Sequence, residues 1–337
     1  MTQKSQALFK AAPSMALSDS GGTIRRITAY SQNLREYECN NQTSGIRGTL
    51  YVITLSERNL KEGWFLGLGS KLLSRRAFIL GGITTFSYLY FDLHSIGVKR
   101  YIIPISELPT EFKGFNILHL TDLHSKEFGD GQRHLIELIN RQQFDAVVIT
   151  GDLVDKSNPI MEPAIALVKG LQSKPVFFVP GNHEWWTNYE IKSPLEDYGV
   201  RILENELFKF TRGNSHIWIM GVDDPYLGRD HLNKVLSDVT DSVPKVLLAH
   251  APNIFSKAVD ADIDLVLVGH THGGQVRLPL VGAVIAPGQG LFPEFDYGQF
   301  TSGSTNMIIN GGLGESILPL RFLNRPEIVV VTLVSSS

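Results

Sequence analysis

The chain has 337 residues, 31 basic and 34 acidic side chains, 43% hydrophobic and 19% charged residues. That composition is globular, and it excludes wholesale disorder or a fibrous protein. A single cysteine, Cys39, excludes a disulfide scaffold and a cysteine-based zinc site. No uncharged apolar run reaches the ~20 residues of a transmembrane helix, which excludes a polytopic membrane protein.

Charge is divided unevenly along the chain. Residues 1–76 carry eleven Lys/Arg against five Asp/Glu, and residues 77–337 carry twenty against twenty-nine. An acidic main body argues against a nucleic-acid partner, which needs clustered Lys/Arg. Residues 1–70 show no sustained period of 2 or 3.6, and they are expected to be a poorly ordered extension or a stretch upstream of the true translation start. Residues 71–97 form a distinct segment. Within it, Ser74-Arg75-Arg76-Ala77-Phe78-Ile79-Leu80 resembles the twin-arginine export signal, and the uncharged stretch from Ala77 to Phe91 has the length of a signal core. The expectation is export to an extracytoplasmic or periplasmic location, released or anchored at the membrane through residues 77–91.

From residue 98 onward, short apolar runs alternate with helical patterns, as in an α/β domain. Phe115–Leu120, Ala146–Thr150, Val176–Val179, Ile217–Val222, Val246–Ala249 and Leu265–Val268 read as strands. Leu135, Ile136, Leu138 and Ile139 give one helix face, and Ile165, Leu167, Val168 and Leu171 another; Ile254–Val259 is a shorter helix. Gly274–Leu278, Asn306–Asn310 and Glu327–Val334 are strand-like. Residues 98–337 are expected to form one domain with more than one sheet.

Five polar clusters directly follow apolar strands: Thr121-Asp122-Leu123-His124, Gly151-Asp152-Leu153-Val154-Asp155, Gly181-Asn182-His183-Glu184, Ala249-His250 and Gly269-His270-Thr271-His272. Ligands of open α/β sheets gather outside the carboxyl ends of strands, so these clusters can converge. Asp, Asn and His without Cys suit divalent Mn, Fe, Zn or Co. Asp-x-His and His-x-His, read as extended segments, place both side chains on one side. Seven such side chains exceed the needs of one tetrahedral ion, and two metals ~3.5–4 Å apart use them naturally.

Taken together, Asp-x-His, Gly-Asp, Gly-Asn-His-Glu, His and Gly-His-x-His resemble the calcineurin-like metallophosphoesterase superfamily, over about residues 115–337. The stretch from Gly269 to Leu280 is similar to a bacterial branch of exported or membrane-anchored phosphodiesterases related to UDP-2,3-diacylglucosamine hydrolases. The resemblance implies a four-layer double β-sandwich flanked by helices. It implies that Asp122, His124 and His272 bind one divalent metal, that Asn182, His250 and His270 bind a second, and that Asp152 bridges both. His183 would act at the phosphoryl group, and Glu184 would orient His183 or be a surface carboxylate. The expected reaction is hydrolysis of a phosphodiester or pyrophosphate by a hydroxide shared between the metals. The expected substrate is a small-molecule, lipid-linked or nucleotide-sugar phosphoester. The rival expectation is a non-catalytic binding protein that keeps the fold, and a nuclease of the same superfamily is disfavoured by the acidic main body.

Among the other residues, Asp155 reads as a turn cap, and Gly221-Val222-Asp223-Asp224-Pro225 follows a strand and reads as a plain turn sooner than as a border of the cleft. Trp185 and Trp186 read as core or cleft walls, His119 as a hydrogen-bonded core residue, and His94, His134, His216 and His231 as surface or loop residues. Gly311-Gly312-Leu313-Gly314 reads as a tight turn passing near the site.

Overall fold

Strands buried on both faces are near-continuous apolar runs, and the central strands of this protein are of that kind. A computed structural model describes residues 34–40, 47–53, 79–84, 87 and 95–336, apart from 188–189, 275–276, 279–281 and 316–320. The Arg75-Arg76 pair, most of the apolar stretch behind it, and His94 lie outside the described residues. The chain divides into two compact units, residues 1–72 and 73–337. In the first, β1 (Leu34–Asn40) and β2 (Arg47–Ile53) pair antiparallel. In the second, residues 79–84 are helical.

The rest of the second unit contains two six-stranded sheets. The first has the order β3 (Gly97–Ile105), β18 (Glu327–Ser335), β4 (Asn116–Leu120), β5 (Ala146–Ile149), β6 (Val176–Phe178), β7 (Val200–Ile202). Strands β4 to β7 are parallel, whereas β18 runs antiparallel to β4 and parallel to β3. The second has the order β16 (Gly298–Ser302), β17 (Thr305–Ile309), β11 (Leu265–Val268), β10 (Lys245–Leu248), β9 (Ser215–Gly221), β8 (Glu206–Arg212). Its four central strands are parallel and its edges antiparallel.

Alternation along each strand sorts side chains into layers. Ile117, Val148, Phe177 and Val331 of the first sheet pack with Ile219, Val246, Leu267 and Ile308 of the second to make the inter-sheet core. Leu118, Val147, Ile149 and Phe178 face the other way, against α1 (Arg133–Asn140), α2 (Glu162–Leu171) and α4 (Lys192–Glu196). Met220, Leu247, Val266 and Met307 face α5 (Leu232–Ser237) and α6 (Phe255–Asp260). The result is helix, sheet, sheet, helix: the four-layer double sandwich expected. A further short helix, α3 (Asn182–Trp186), follows β6.

Between β11 and β16 the chain makes two small hairpins. One pairs β12 (Arg277–Leu278) with β13 (Gly282–Ala283), and the other pairs β14 (Ile285–Ala286) with β15 (Gly290–Leu291). The strand expected over Gly274–Leu278 is described only at Arg277–Leu278, since 275–276 lie outside the described residues.

Candidate functional site

Parallel strands of both sheets end at one place, and the polar clusters follow those ends. Asp122 and His124 follow β4, Asp152 follows β5, and Asn182 and His183 open α3 after β6. His250 follows β10, and His270 and His272 follow β11. The pairs are not extended, contrary to the reading from strand period. Asp122, His124, Asp152, His270 and His272 all have φ between 49° and 69°. Left-handed turns, rather than alternation, bring Asp122 beside His124 and His270 beside His272. Such backbone is costly for non-glycine residues and concentrates at functional sites. Glycines give the room: a Cβ on Gly181 would stand 2.4 Å from Asp152 Oδ1, and one on Gly312 2.7 Å from Asp122 Cβ.

The ligand atoms fall into two groups with one shared member. His124 Nε2 and His272 Nε2 are 3.1 Å apart, and they lie 3.8 and 3.6 Å from Asp122 Oδ1. His250 Nε2 lies 3.1 Å from both Asn182 Oδ1 and His270 Nδ1. Asp152 Oδ2 is 3.3 Å from His250 Nε2 and 3.6 Å from His124 Nε2, so it faces both groups. The triads Asp122–His124–His272 and Asp152–His250–His270 each have the spacing of a metal site, and all six residues are buried.

The atoms fit a divalent cation. Thr150 O accepts from His250 Nδ1 at 2.8 Å, and Asp155 Oδ2 lies 3.3 Å from His124 Nδ1; both contacts leave Nε2 turned inward. Burial opposes a charged His124, yet the neighbouring Asp122, Asp155 and Asp152 carboxylates lift it to about 9. Burial likewise opposes the Asp152 carboxylate, but His250 beside it holds it well below the usual range. Burial depresses His270 to about 3 and His272 well below 6.5, which leaves neutral lone pairs. A field that draws a proton onto His124 draws a divalent cation by the same charges, and hard oxygen and imidazole donors suit such ions.

His183 stands at the edge of this cluster. Its Nδ1 accepts the backbone N–H of Lys156 at 3.0 Å, so the neutral ring carries its proton on Nε2. That nitrogen lies 4.0 Å from Asp152 Oδ2, and burial lowers the ring to about 4. Asp155 is more than the turn cap expected. Its Oδ1 accepts the Ser157 N–H at 2.7 Å, while Oδ2 lies 3.5 Å from His183 Nδ1.

Glu184 neither orients the His183 ring nor sits on the surface. It is 6% exposed, and its carboxylate accepts the N–H groups of Asp152, Leu153 and Gly181 at 2.8 Å each. It therefore holds the backbone of the Asp152 loop. Burial and the Asp152 carboxylate push it up to about 7.

The turn after β9 was underestimated by sequence reasoning. Asp223 and Asp224 are buried; Asp223 accepts Trp185 Nε1 and Arg229 Nε at 2.8 Å each, and Asp224 Oδ1 accepts the Tyr226 N–H at 2.9 Å. The turn lays the Tyr226 ring 4.7 Å from His270, and Trp186 lies 5.3 Å from His183. Two acidic residues before Pro225 were the only signal. His119 is buried with Nε2 2.8 Å from Thr150 Oγ1, as expected of a core histidine. His134 and His231 are exposed, and His216 is half-buried, 3.0 Å from Asp241. The Gly311–Gly314 turn passes against the site, a Cβ on Gly314 falling 2.4 Å from Leu123 O.

Residues 115–274 match the calcineurin-like phosphoesterase family. An uncharacterized metallophosphoesterase of Bacillus subtilis, YkuE, is 32% identical over 84% of this chain and 99% of its own length. An uncharacterized metallophosphoesterase of Helicobacter pylori is 34% identical over 70% of this chain and 64% of its own length. Among solved structures, a dimetal phosphatase from Danio rerio is 13% identical with a TM-score of 0.36, over 65% of this chain and 99% of its own. A cluster of buried His and Asp suited to divalent metal, at the strand ends of a double sandwich that matches this family, leads to one conclusion: the chain belongs to the calcineurin-like metallophosphoesterase superfamily, the metal-dependent phosphoester hydrolases.

Proposed function

We propose that the protein hydrolyses a phosphodiester or pyrophosphate bond at a centre of two divalent metal ions. The observation that carries this is Asp152 Oδ2, which stands between two ligand groups, 3.3 Å from one and 3.6 Å from the other. Asp122, His124 and His272 would hold one ion, Asn182, His250 and His270 the other, and Asp152 would serve both. Divalent cations so held would lower the pKa of a nucleophilic water and neutralise charge on the phosphoryl oxygens.

The chain's own groups do the rest. Glu184 and the glycines fix the Asp152 loop, so the ligands need not reorganise. The Lys156 N–H fixes the His183 tautomer, which directs Nε2–H toward the cluster. From there the Nε2–H of neutral His183 hydrogen-bonds a phosphoryl oxygen and then the departing oxygen as the ester bond breaks, keeping its own proton while the leaving oxygen takes one from solvent. Because burial holds His183 to about 4, it acts as a neutral hydrogen-bond donor near pH 7.

Residues 98–337 are read as the catalytic domain, 1–70 as an extension or a stretch before the true start, and 71–97 as an export signal or anchor. The location is then extracytoplasmic or at the membrane, and the substrate a small-molecule, lipid-linked or nucleotide-sugar phosphoester. Among the described residues, no helix is long and apolar enough to cross a membrane.

The test strips the protein with chelator, restores Mn²⁺ or Zn²⁺, and follows a chromogenic phosphodiester and its monoester beside Asp152→Ala and His183→Ala. Turnover returns with metal. Asp152→Ala loses both metal and turnover, whereas His183→Ala keeps its metal and loses ~10²–10⁴-fold in kcat. Two bound ions with no turnover of either ester would make this a binding protein instead.

A further inference from the structure

Beside His270 lies a pocket of about 190 Å³ whose walls include Tyr226, Pro252, Pro287, Gly288 and Phe295. Among the described residues, no Lys, Arg, Asp or Glu lines it. Its walls are fixed. Asn253 Nδ2 donates to Pro225 O at 2.8 Å, which pins the turn that carries Tyr226. Gln289 Nε2 donates to Phe295 O at 2.6 Å, and its Oε1 accepts the Phe295 N–H at 3.0 Å. The two amide side chains that reach the pocket are thus engaged in building it. Gly288 has φ +73°, and a Cβ there would stand 2.8 Å from Tyr226 Cε2 and 3.2 Å from His270 Nε2. The backbone closes directly against the tyrosine ring, and the histidine is shared between pocket and cluster.

We propose that this pocket receives an uncharged, apolar, ring-sized group esterified to the phosphate at the His–Asp cluster. The proposal rests on the phosphoesterase reading above and names the substrate class for it. Three features carry it. The pocket and the cluster share His270, whose Nδ1 faces His250 and whose Nε2 faces Gly288, so a group seated there adjoins the ligands. Its volume is that of a single ring: a 150 Å³ apolar cavity in a protein takes up benzene. It offers no counter-charge, so a second phosphate or a carboxylate would lose its hydration there without compensation.

The test measures binding of non-hydrolysable probes to the full-length, Mn²⁺-loaded protein by calorimetry. Phenylphosphonate should bind at least tenfold more tightly than methylphosphonate, and 4-carboxyphenylphosphonate should lose most of that advantage. Tyr226→Ala and Phe295→Ala should each bring the phenyl-to-methyl ratio below threefold. Tyr226 is 42% exposed, so its truncation is tolerated by the fold. Because both probes share the phosphonate, a ratio is insensitive to metal occupancy. Equal affinity of the two probes for the wild type, or an unchanged ratio in both variants, overturns the pocket assignment, and metal-dependent turnover of a chromogenic ester would still uphold the enzyme. Absence of both phosphonate binding and turnover overturns the phosphoesterase reading itself.

Discussion

Replacing Glu184 by Gln isolates the clamp on the Asp152 loop. Oε2 accepts from Asp152 N and Gly181 N at 2.8 Å, and Oε1 accepts from Leu153 N at 2.8 Å and Val154 N at 3.4 Å. A glutamine has one carbonyl oxygen, so in either orientation its NH₂ confronts two backbone donors. Each buried N–H left unsatisfied costs ~1–3 kcal/mol. If the amide replaces Oε1, one good and one long bond are lost; if Oε2, two good ones. Against this, the variant no longer buries a charge that burial itself opposes, as the rise to about 7 records. Two charge-assisted bonds lost at ~2–3 kcal/mol each outweigh the ~3 kcal/mol regained by removing the strained charge, so the net expectation at pH 8, where the carboxylate is ionised, is a loss of ~1–3 kcal/mol in the chelated protein. For a unit of this size that is a fall in Tm of roughly 2–12 °C. Urea and thermal unfolding of Glu184→Gln beside the wild type give both numbers. A change under ~0.5 kcal/mol would mean the four contacts contribute nothing net, and the clamp argument would fail.

The remaining predictions concern the same surroundings. Gly181→Ala places a Cβ 2.4 Å from Asp152 Oδ1 and 2.8 Å from His250 Nδ1, so metal retained after dialysis should fall sharply; wild-type metal content would refute the close-approach argument. His119 is buried, and burial lowers it from 6.5 to about 3. The unfolded chain therefore binds a proton below pH 6.5 that the native state refuses, and stability falls as pH drops through that window. At ~1.4 kcal/mol per pH unit, His119→Gln should gain ~2 kcal/mol on the wild type between pH 7 and pH 5, and urea unfolding at both values would falsify this by showing no relative gain.

What the sequence disclosed depended on burial. Strands β5 and β11 are buried at every position and stand out as Ala-Val-Val-Ile and Leu-Val-Leu-Val. Within the two six-stranded sheets, the strands not legible in the sequence, β3, β7, β8 and β16, are the four edges. β3 carries Lys99, Arg100 and Pro104, with Ile102 68% exposed, a composition that edges tolerate and central strands do not. The clusters around Asp122, Asp152, Asn182, His250 and His270 were visible because metal chemistry demands particular side chains. The work of Glu184 was not, because its partners are backbone N–H groups, which leave no mark on composition. Nor did the strand period explain how Asp122 meets His124, since a left-handed turn cannot be read from a spacing of two.

The place of β18 bears on how the protein is made. It is the last strand in the chain, yet it lies inside the first sheet, with β3 along one side from Glu327↔Gly97 and β4 along the other from Val329↔His119. On the ribosome, β4 to β7 emerge early, but β4 keeps an open flank until the entire second sheet has been synthesised. Asp122 and His124 hang from that flank, and His250, His270 and His272 belong to the later sheet. No partial chain can assemble both ligand groups on a closed scaffold, and such non-local pairing is slow to form. The scaffold around both ligand groups therefore closes only with the insertion of a single strand.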